Sequence, residues 1–294
     1  MSVRSVGEGH VSSISFRTGT IDTSGGVKID PVRRTAVLGQ QKSDKGIRRI
    51  QFDSRTHISE RLLFPTGPEE QNGIEDARFV RFVRDDGSVR YYGTYTAYDG
   101  KNIQPKIIET GDFLKFKLLP LVGDMTRNKG MALFPRKIAG RFVMLARVDG
   151  ESIYLMSSEN LQIWNEGIKI ASPRFPWEFM QIGNCGSPIE VDQGWLVLTH
   201  GVGSLRRYSI GAMLLDKREP SKVIGRLREP LISPGVRERT GYVPNVVYTC
   251  GAIVNKDRLI IPYGSADRSI AFITVDMEEL MGRLLGTAKN PVDF

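Results

Sequence analysis

The chain has 294 residues, with 41 Lys+Arg against 33 Asp+Glu, a net charge of +8, and 40% hydrophobic and 25% charged residues. This is the composition of a folded globular protein, not of a disordered or low-complexity chain. No apolar run approaches the roughly 20 residues of a bilayer-spanning helix, and the opening residues lack the apolar stretch of a secretory signal, so no membrane partner and a cytoplasmic location are expected.

Strand-like segments open the chain at residues 11–16, 27–29 and 47–52. A pattern then repeats four times. Each copy has a short strand (76–82, 130–136, 186–190, 251–254), a turn, and a β-rich run ending in an ionisable side chain. Those runs are 90–99 (Arg-Tyr-Tyr-Gly-Thr-Tyr-Thr-Ala-Tyr-Asp), 141–147 (Arg-Phe-Val-Met-Leu-Ala-Arg), 195–200 (Trp-Leu-Val-Leu-Thr-His) and 258–267 (Arg-Leu-Ile-Ile-Pro-Tyr-Gly-Ser-Ala-Asp). A third strand follows each (104–109, 153–157, 208–215, 270–275). Turn-plus-strand segments after residues 112, 159 and 219 supply a fourth. Tight turns between apolar runs read as hairpins. Residues 277–285 have the apolar spacing of one short helix.

A period of roughly 50–60 residues with about four strands each is the spacing of propeller blades. Four blades run from 73 to 285, and residues 11–52 are expected to supply a fifth. The fold expected is therefore all-β, a five-bladed β-propeller forming a single catalytic domain over 1–294, with a β-sandwich or barrel as the competing architecture.

The repeat puts Asp99, Arg147, His200 and Asp267 at one position of successive units. Four ionisable groups in phase point to a shared cavity, although each also reads as a turn residue or a structural hydrogen-bonder. Glu75, Asp76 and Arg78 lie at the mouth of the first inner strand, and Lys129 occupies the same phase one blade on. Arg147 ends an apolar strand, where a charge needs a partner. Three histidines and two cysteines, Cys185 and Cys250, leave little for a metal, and none is expected. The positive charge favours anions, but it is scattered, without a basic run or a nucleic-acid motif, so no nucleic-acid partner is expected.

Several stretches resemble glycoside hydrolase family 130, the β-mannoside phosphorylases and related β-mannosidases. They are 73–78 (Gly-Ile-Glu-Asp-Ala-Arg), 94–99, 128–135 (Asn-Lys-Gly-Met-Ala-Leu-Phe-Pro), 194–202, 208–216 and 241–251. The resemblance implies a five-bladed propeller that cleaves a β-mannosidic bond with inorganic phosphate and inverts the anomeric centre to give α-mannose 1-phosphate. It implies a glycosyltransferase-type enzyme with an oligosaccharide substrate and phosphate as co-substrate. No cofactor is expected, and a homo-oligomer is admitted. Asp99 matches the aspartate that passes its proton through a sugar hydroxyl to the leaving oxygen. Lys129, Arg147 and His200 match phosphate-binding positions, where cationic side chains pair with phosphate oxygens. Glu75, Asp76, Arg78 and Asp267 are implied as sugar contacts, with Tyr208 and Tyr242 as further ones.

The chain departs from the family pattern at Ala77, where proline is usual, at Gly130, where an acidic or polar residue is usual, at residues 183–188, and at Met180-Gln181, where a lysine often sits. That last change removes a phosphate ligand and keeps two alternatives open. One is an inverting β-mannosidase acting on β-1,2- or β-1,4-mannosides, with Glu190 or Glu75 recruited as base. The other is a non-catalytic carbohydrate-binding propeller.

Overall fold

The computed structural model describes residues 1–33 and 35–287. Among the described residues five sheets follow one another along the chain as the blades of a β-propeller, as the repeat predicts, and a sixth, two-stranded sheet pairs Gly19–Ile21 with Val27–Ile29, which does not join the first blade. The first joins Ser2–Val6, Ser12–Phe16, Arg61–Leu63 and Val37–Leu38. The second runs from its outer edge Gln40–Asp44 through Ile47–Gln51, Lys115–Pro120, Ile103–Thr110 and Val89–Tyr98 to Ile74–Val83. The third comprises Ala132–Leu133, Phe142–Ala146, Ile153–Ser158 and Glu166–Ala171. The fourth pairs Gly194–Val202 with Gln181–Asn184 and Ile189–Val191 on one side and with Tyr208–Leu215, then Val223–Arg226, on the other. The fifth centres on Arg258–Ser265, flanked by Val247–Tyr248, Ile253–Asn255 and Ser269–Asp276.

Three further details differ from the repeat as read from sequence. Residues 47–52 do not build the first blade; Ile47–Gln51 extends the outer edge of the second. The inner strand of the third blade shrinks to Ala132–Leu133, because Gly130 has φ +95 and Pro135 has no N–H to donate. The inner strands of the last two blades are split. Their first halves, Gln181–Asn184 and Val247–Tyr248, lie upstream of the Cys-Gly pairs expected to open them. A Cβ on Gly186 would meet the Cys250 carbonyl at 2.5 Å, so the backbones approach closely there. The helix Met277–Leu285 forms as expected, with Asp276 accepting from the Glu279 N–H (3.0 Å) and Gly286 closing it at φ +73. Among the described residues no helix is long and apolar enough to cross a membrane.

Contacts divide the chain into two compact units. The first comprises Met1–Thr20, Val27–Gly150 and Tyr154–Ile168; the second comprises Ile21–Gly26, Glu151–Ile153 and the chain from Lys169 onward. In the first, the second blade is covered on both faces. Ile107 and Leu119 enter one core with Phe82, Tyr92, Leu133, Met144 and Trp164. Their chain neighbours Ile108 and Leu118 enter another with Ile14, Phe16, Ile50, Leu63 and Phe116. Adjacent residues of a strand point to opposite faces, so a strand buried on both faces reads as a continuous apolar run. In the second unit, Leu196, Leu198, Leu214, Leu259 and Ile261 pack under the helix residues Leu280, Met281 and Leu284.

One buried carboxylate anchors the strand that carries the candidate residues of the first unit. The short 3-10 turn Pro68–Glu70 has Pro at its start and a fully buried Glu70 at its end. Glu70 pairs with Arg48 (2.8 Å) and Lys106 (3.4 Å). It also accepts from the Tyr95 hydroxyl (2.8 Å) and the Thr66 N–H (3.3 Å). Burial, with the Glu70 charge beside it, pushes the Tyr95 phenol well above its ordinary value, so it stays a donor. Four residues beyond Glu70 begins Ile74–Val83. The same device recurs in the second unit. Pro176–Glu178 ends in a fully buried Glu178 that pairs with Arg226 (2.5 Å) and leads into Gln181–Asn184. Removing one partner of a buried network leaves uncompensated charge, so Glu70→Ala is expected to lower unfolding free energy by about 3–5 kcal/mol. Urea denaturation measures this, and a loss under about 1 kcal/mol would contradict the anchoring role.

Candidate active site

In the first unit the strand Ile74–Val83 carries Glu75, Asp76 and Arg78. Its register with Val89–Tyr98 slips there: Arg78 faces Thr94 and Glu75 faces Thr96, so two residues, Asp76 and Ala77, oppose Tyr95. Asp76 adopts φ +54, a conformation that aspartate tolerates better than most residues. A β-bulge re-aims the side chains around it. Arg78 is almost fully buried; its guanidinium donates to the Asp76 carbonyl (3.0 Å) and lies 4.0 Å from the Asp76 carboxylate.

Both carboxylate oxygens of Glu75 are engaged. Oε2 meets Lys129 Nζ at 2.6 Å and Oε1 meets Arg4 Nη2 at 3.1 Å. Arg4, on Ser2–Val6, also reaches within 3.9 Å of Asp76 and donates from Nε to Ser12 Oγ (2.9 Å). The Lys129 ammonium lies 5.8 Å from the Tyr98 ring centre. Lys129 and Arg78 line one narrow crevice with Thr94, Thr96, Asn128 and Gly130. Arg147 follows the strand Phe142–Ala146 and opens the turn closed by Gly150 N–H to its carbonyl (3.2 Å). A Cβ on Gly150 would meet Asn128 Nδ2 at 2.9 Å, so this turn packs beside the residue preceding Lys129.

Asp99 follows the strand Val89–Tyr98 and folds back on its own turn. Its Oδ1 accepts from the Lys101 N–H (2.7 Å) and the Asn102 N–H (2.6 Å), and its Oδ2 from Asn102 Nδ2 (3.0 Å). The Asn102 backbone N–H is the largest influence, then its side chain, and together with the Lys101 N–H they hold the carboxyl down to about 2. Asp99 in the free protein is therefore a carboxylate at neutral pH. It is arranged to accept a hydrogen bond and must be loaded with a proton before it can donate one.

In the second unit His200 is almost fully buried near the end of Gly194–Val202. Its Nε2 lies 3.2 Å from Gln181 Nε2, so the glutamine of Met180-Gln181, the pair standing where a lysine often sits in the resembled family, touches the imidazole. The ring lies parallel to Tyr208 (centroids 6.1 Å apart, 12° between planes) and inclined to Tyr248 (5.0 Å). Gly183, its cross-strand partner, makes the room: a Cβ there would meet His200 Cε1 at 2.4 Å. Tyr242 is exposed. Asp267 sits exposed at the hairpin tip, with Ala266 and Asp267 both at positive φ (+49 and +51). The loop carrying Tyr242 is tied to that tip by Val243 N–H to the Ala266 carbonyl (3.1 Å).

Glu190 is placed differently from the other candidates. It pairs in register with Trp195, whereas His200 lies five residues farther along the same strand, about 17 Å away at roughly 3.4 Å per residue. Glu190 instead lines a separate cavity of about 890 Å³ with Asp192, Asp276, Glu278 and Met281, and none of the other candidate residues borders it.

The sequence reading missed Arg4, Asn102 and Glu70. Asn102 was legible in hindsight from Asp99-Gly-Lys-Asn, a turn sequence in which an aspartate binds backbone N–H groups two and three residues on. Glu70 was legible from Pro-Glu-Glu, with Pro at the first helical position and Glu at the third. Arg4 carries no local signal.

The family profile described as beta-1,4-mannooligosaccharide phosphorylase matches residues 34–285. The chain is 33% identical over 250 residues to the 1,2-beta-oligomannan phosphorylase of Thermoanaerobacter sp. (strain X514), covering 83% of this chain and 79% of that protein. It is 39% identical over 163 residues to the beta-1,4-mannooligosaccharide phosphorylase of Ruminococcus albus, covering 51% and 49%. The solved beta-1,2-mannobiose phosphorylase from Listeria innocua, in complex with beta-1,2-mannobiose, matches with a TM-score of 0.67 at 22% identity over 96% of this chain and 90% of that one, a likeness of fold.

A folded-state value near 2 means that Asp99 adds stability above the ordinary carboxylate range, and that this contribution fades as pH falls toward 2. The Asp99 carboxyl ¹³C shift should stay flat from pH 7 down to about 4. Asn102→Ala should raise the midpoint. A wild-type midpoint at or above the ordinary value of about 3.9 would show that the turn does not hold the charge.

Proposed function

The chain belongs to glycoside hydrolase family 130, and from that premise we propose that it is a β-mannoside phosphorylase, cleaving a manno-oligosaccharide with inorganic phosphate and inverting the anomeric centre. Relatives acting on β-1,2 and β-1,4 linkages are both similar to it, so the substrate class is the β-mannoside and the linkage is a matter for assay.

The observation that carries phosphorolysis over hydrolysis is the engagement of Glu75. Inverting hydrolysis needs an acid and a free carboxylate base about 6.5–9.5 Å apart. Glu75 has one oxygen on Lys129 and the other on Arg4, so neither oxygen is left open to take a proton from an attacking water. Glu190 sits at the other end of its sheet from His200. With phosphate as nucleophile, the protein supplies only one acid together with cations. Lys129, and Arg147 from the turn beside Asn128, are the cations we assign to phosphate. Arg78 and Asp76, fixed by the bulge, we assign to sugar hydroxyls. His200 as a third phosphate contact, and Tyr208, Tyr242 and Asp267 as sugar contacts, rest on the resemblance.

The proton balance suits Asp99. A phosphate oxygen bonds to C1 as the C1–O bond to the leaving sugar breaks. Asp99, loaded with a proton in the complex, passes it through a sugar hydroxyl to that oxygen. The proton carried by hydrogen phosphate is shed as phosphate becomes an ester, and it restores Asp99. For this, the bound sugar has to displace the Asn102 and Lys101 donors that keep Asp99 ionised and offer a hydroxyl oxygen to accept its proton. No cofactor is proposed; phosphate is the co-substrate. The location we propose is the cytoplasm, where a chain with two cysteines keeps them as thiols.

Product analysis on β-1,2- and β-1,4-manno-oligosaccharides, with and without phosphate, tests the proposal. Mannose 1-phosphate should form only with phosphate, and free mannose at equal rates in both would favour the hydrolase. Asp99→Asn should abolish turnover with binding retained, a loss of at least about 10³-fold. Arg147→Ala should raise KM for phosphate by more than about tenfold. An unchanged phosphate KM removes Arg147 from the phosphate site.

A further inference from the structure

Arg4 lies on the first strand of the chain, 71 residues before the glutamate it contacts. Its guanidinium spans two acidic residues: Nη2 is 3.1 Å from Glu75 and Nη1 is 3.9 Å from Asp76. Nε is fixed by Ser12 Oγ at 2.9 Å, so the fork has a set direction. Glu75 in turn holds Lys129 at 2.6 Å. Among the described residues, the ion pairs of this cluster join three cations, Arg4, Arg78 and Lys129, to two carboxylates, Glu75 and Asp76. Without Arg4 the two signs would cancel. Lys129 would then face a carboxylate with no other direct cationic partner among the described residues, and an arriving phosphate would meet that negative charge undiluted.

We propose that Arg4 is a charge-balancing residue for phosphate: by neutralising the Glu75–Asp76 pair it leaves Lys129 with net positive charge to offer an anion. Arg4 is a positioning residue in this scheme, acting through Glu75 and not on the reacting atoms. The inference rests on the phosphorylase reading for the identity of the anion, and on the geometry of the cluster for the role of Arg4.

The test compares wild type with Arg4→Ala, Arg4→Lys and Arg4→Ala/Glu75→Gln. It reads inorganic-phosphate affinity by calorimetry, and KM for phosphate and for the mannoside by initial rates. One unit charge removed at salt-bridge distance in a partly screened site corresponds to about a tenfold loss of phosphate affinity. Arg4→Ala should show that loss with the mannoside KM within about twofold, since the charge acts on the anion. Arg4→Lys keeps the charge and should stay near wild type. It also serves as the readout if the alanine variant does not fold. The double variant removes one charge of each sign and should recover most of the phosphate affinity, as a double-mutant cycle requires for a direct coupling. Unchanged phosphate affinity in Arg4→Ala, a tenfold loss in Arg4→Lys, or no recovery in the double variant overturns the inference, as does a wild type that binds no phosphate. A wild type that binds phosphate with the expected Arg4 dependence, yet releases free mannose, sinks the phosphorylase reading and leaves this one standing.

Discussion

A carboxylate with no exposed surface is the constraint from which the rest of the first unit's site is built. Glu70 sits among Arg48, Lys106 and the Tyr95 hydroxyl. Taking a charge out of water is costly unless every lone pair is met, and here four donors converge on it. Because those donors come from the strands Ile47–Gln51, Val89–Tyr98 and Ile103–Thr110 and from the loop at Thr66, the network ties the second blade together at the entry of its inner strand. The bulge at Asp76 begins six residues later. A bulge stores local strain, and such strain persists only where the surroundings over-determine the backbone; Glu70 on one side and buried Arg78 on the other do that here. Glu178 with Arg226 repeats the device ahead of Gln181 and His200.

Charge on the first unit's site is arranged in layers. Arg4 and Lys129 share Glu75, Arg78 and Arg4 share Asp76, and Arg147 stands on the neighbouring turn beside Asn128. Glu75 divides its charge between Lys129 and Arg4, so the pair that holds Lys129 is weaker than an exclusive one. Asp99 lies outside this network. Its donors are backbone and amide N–H groups of its own turn, which favour the ionised form without a counter-charge. A bound sugar can compete with such hydrogen bonds, because a hydroxyl can both donate to the carboxylate and accept the proton of the loaded acid.

The fold was legible where local signals suffice. Alternating turn and strand marked out the blades, and the Asp276 cap and Gly286 bounded the helix to the residue. The misreadings came where pairing partners are distant in sequence. Residues 47–52 look like any first-blade strand, yet they hydrogen-bond to residues 115–118. The Cys-Gly pairs look like strand openings, yet they mark breaks where two backbones pass within contact distance. Glu190 reads as a candidate base until its register with Trp195 puts it at the wrong end of the sheet.

The amino-acid sequence by itself determined the repeat, the helix and the family motifs that nominate Asp99, Lys129 and Arg147, because periodicity, turn chemistry and motif spacing are properties of neighbouring residues. Only the tertiary structure decided that Glu75 is shared between Lys129 and a strand 71 residues before it, and that Glu70 is a buried anchor. Each of these depends on which side chains meet after strands far apart in the chain have been paired, and that is not written in local order.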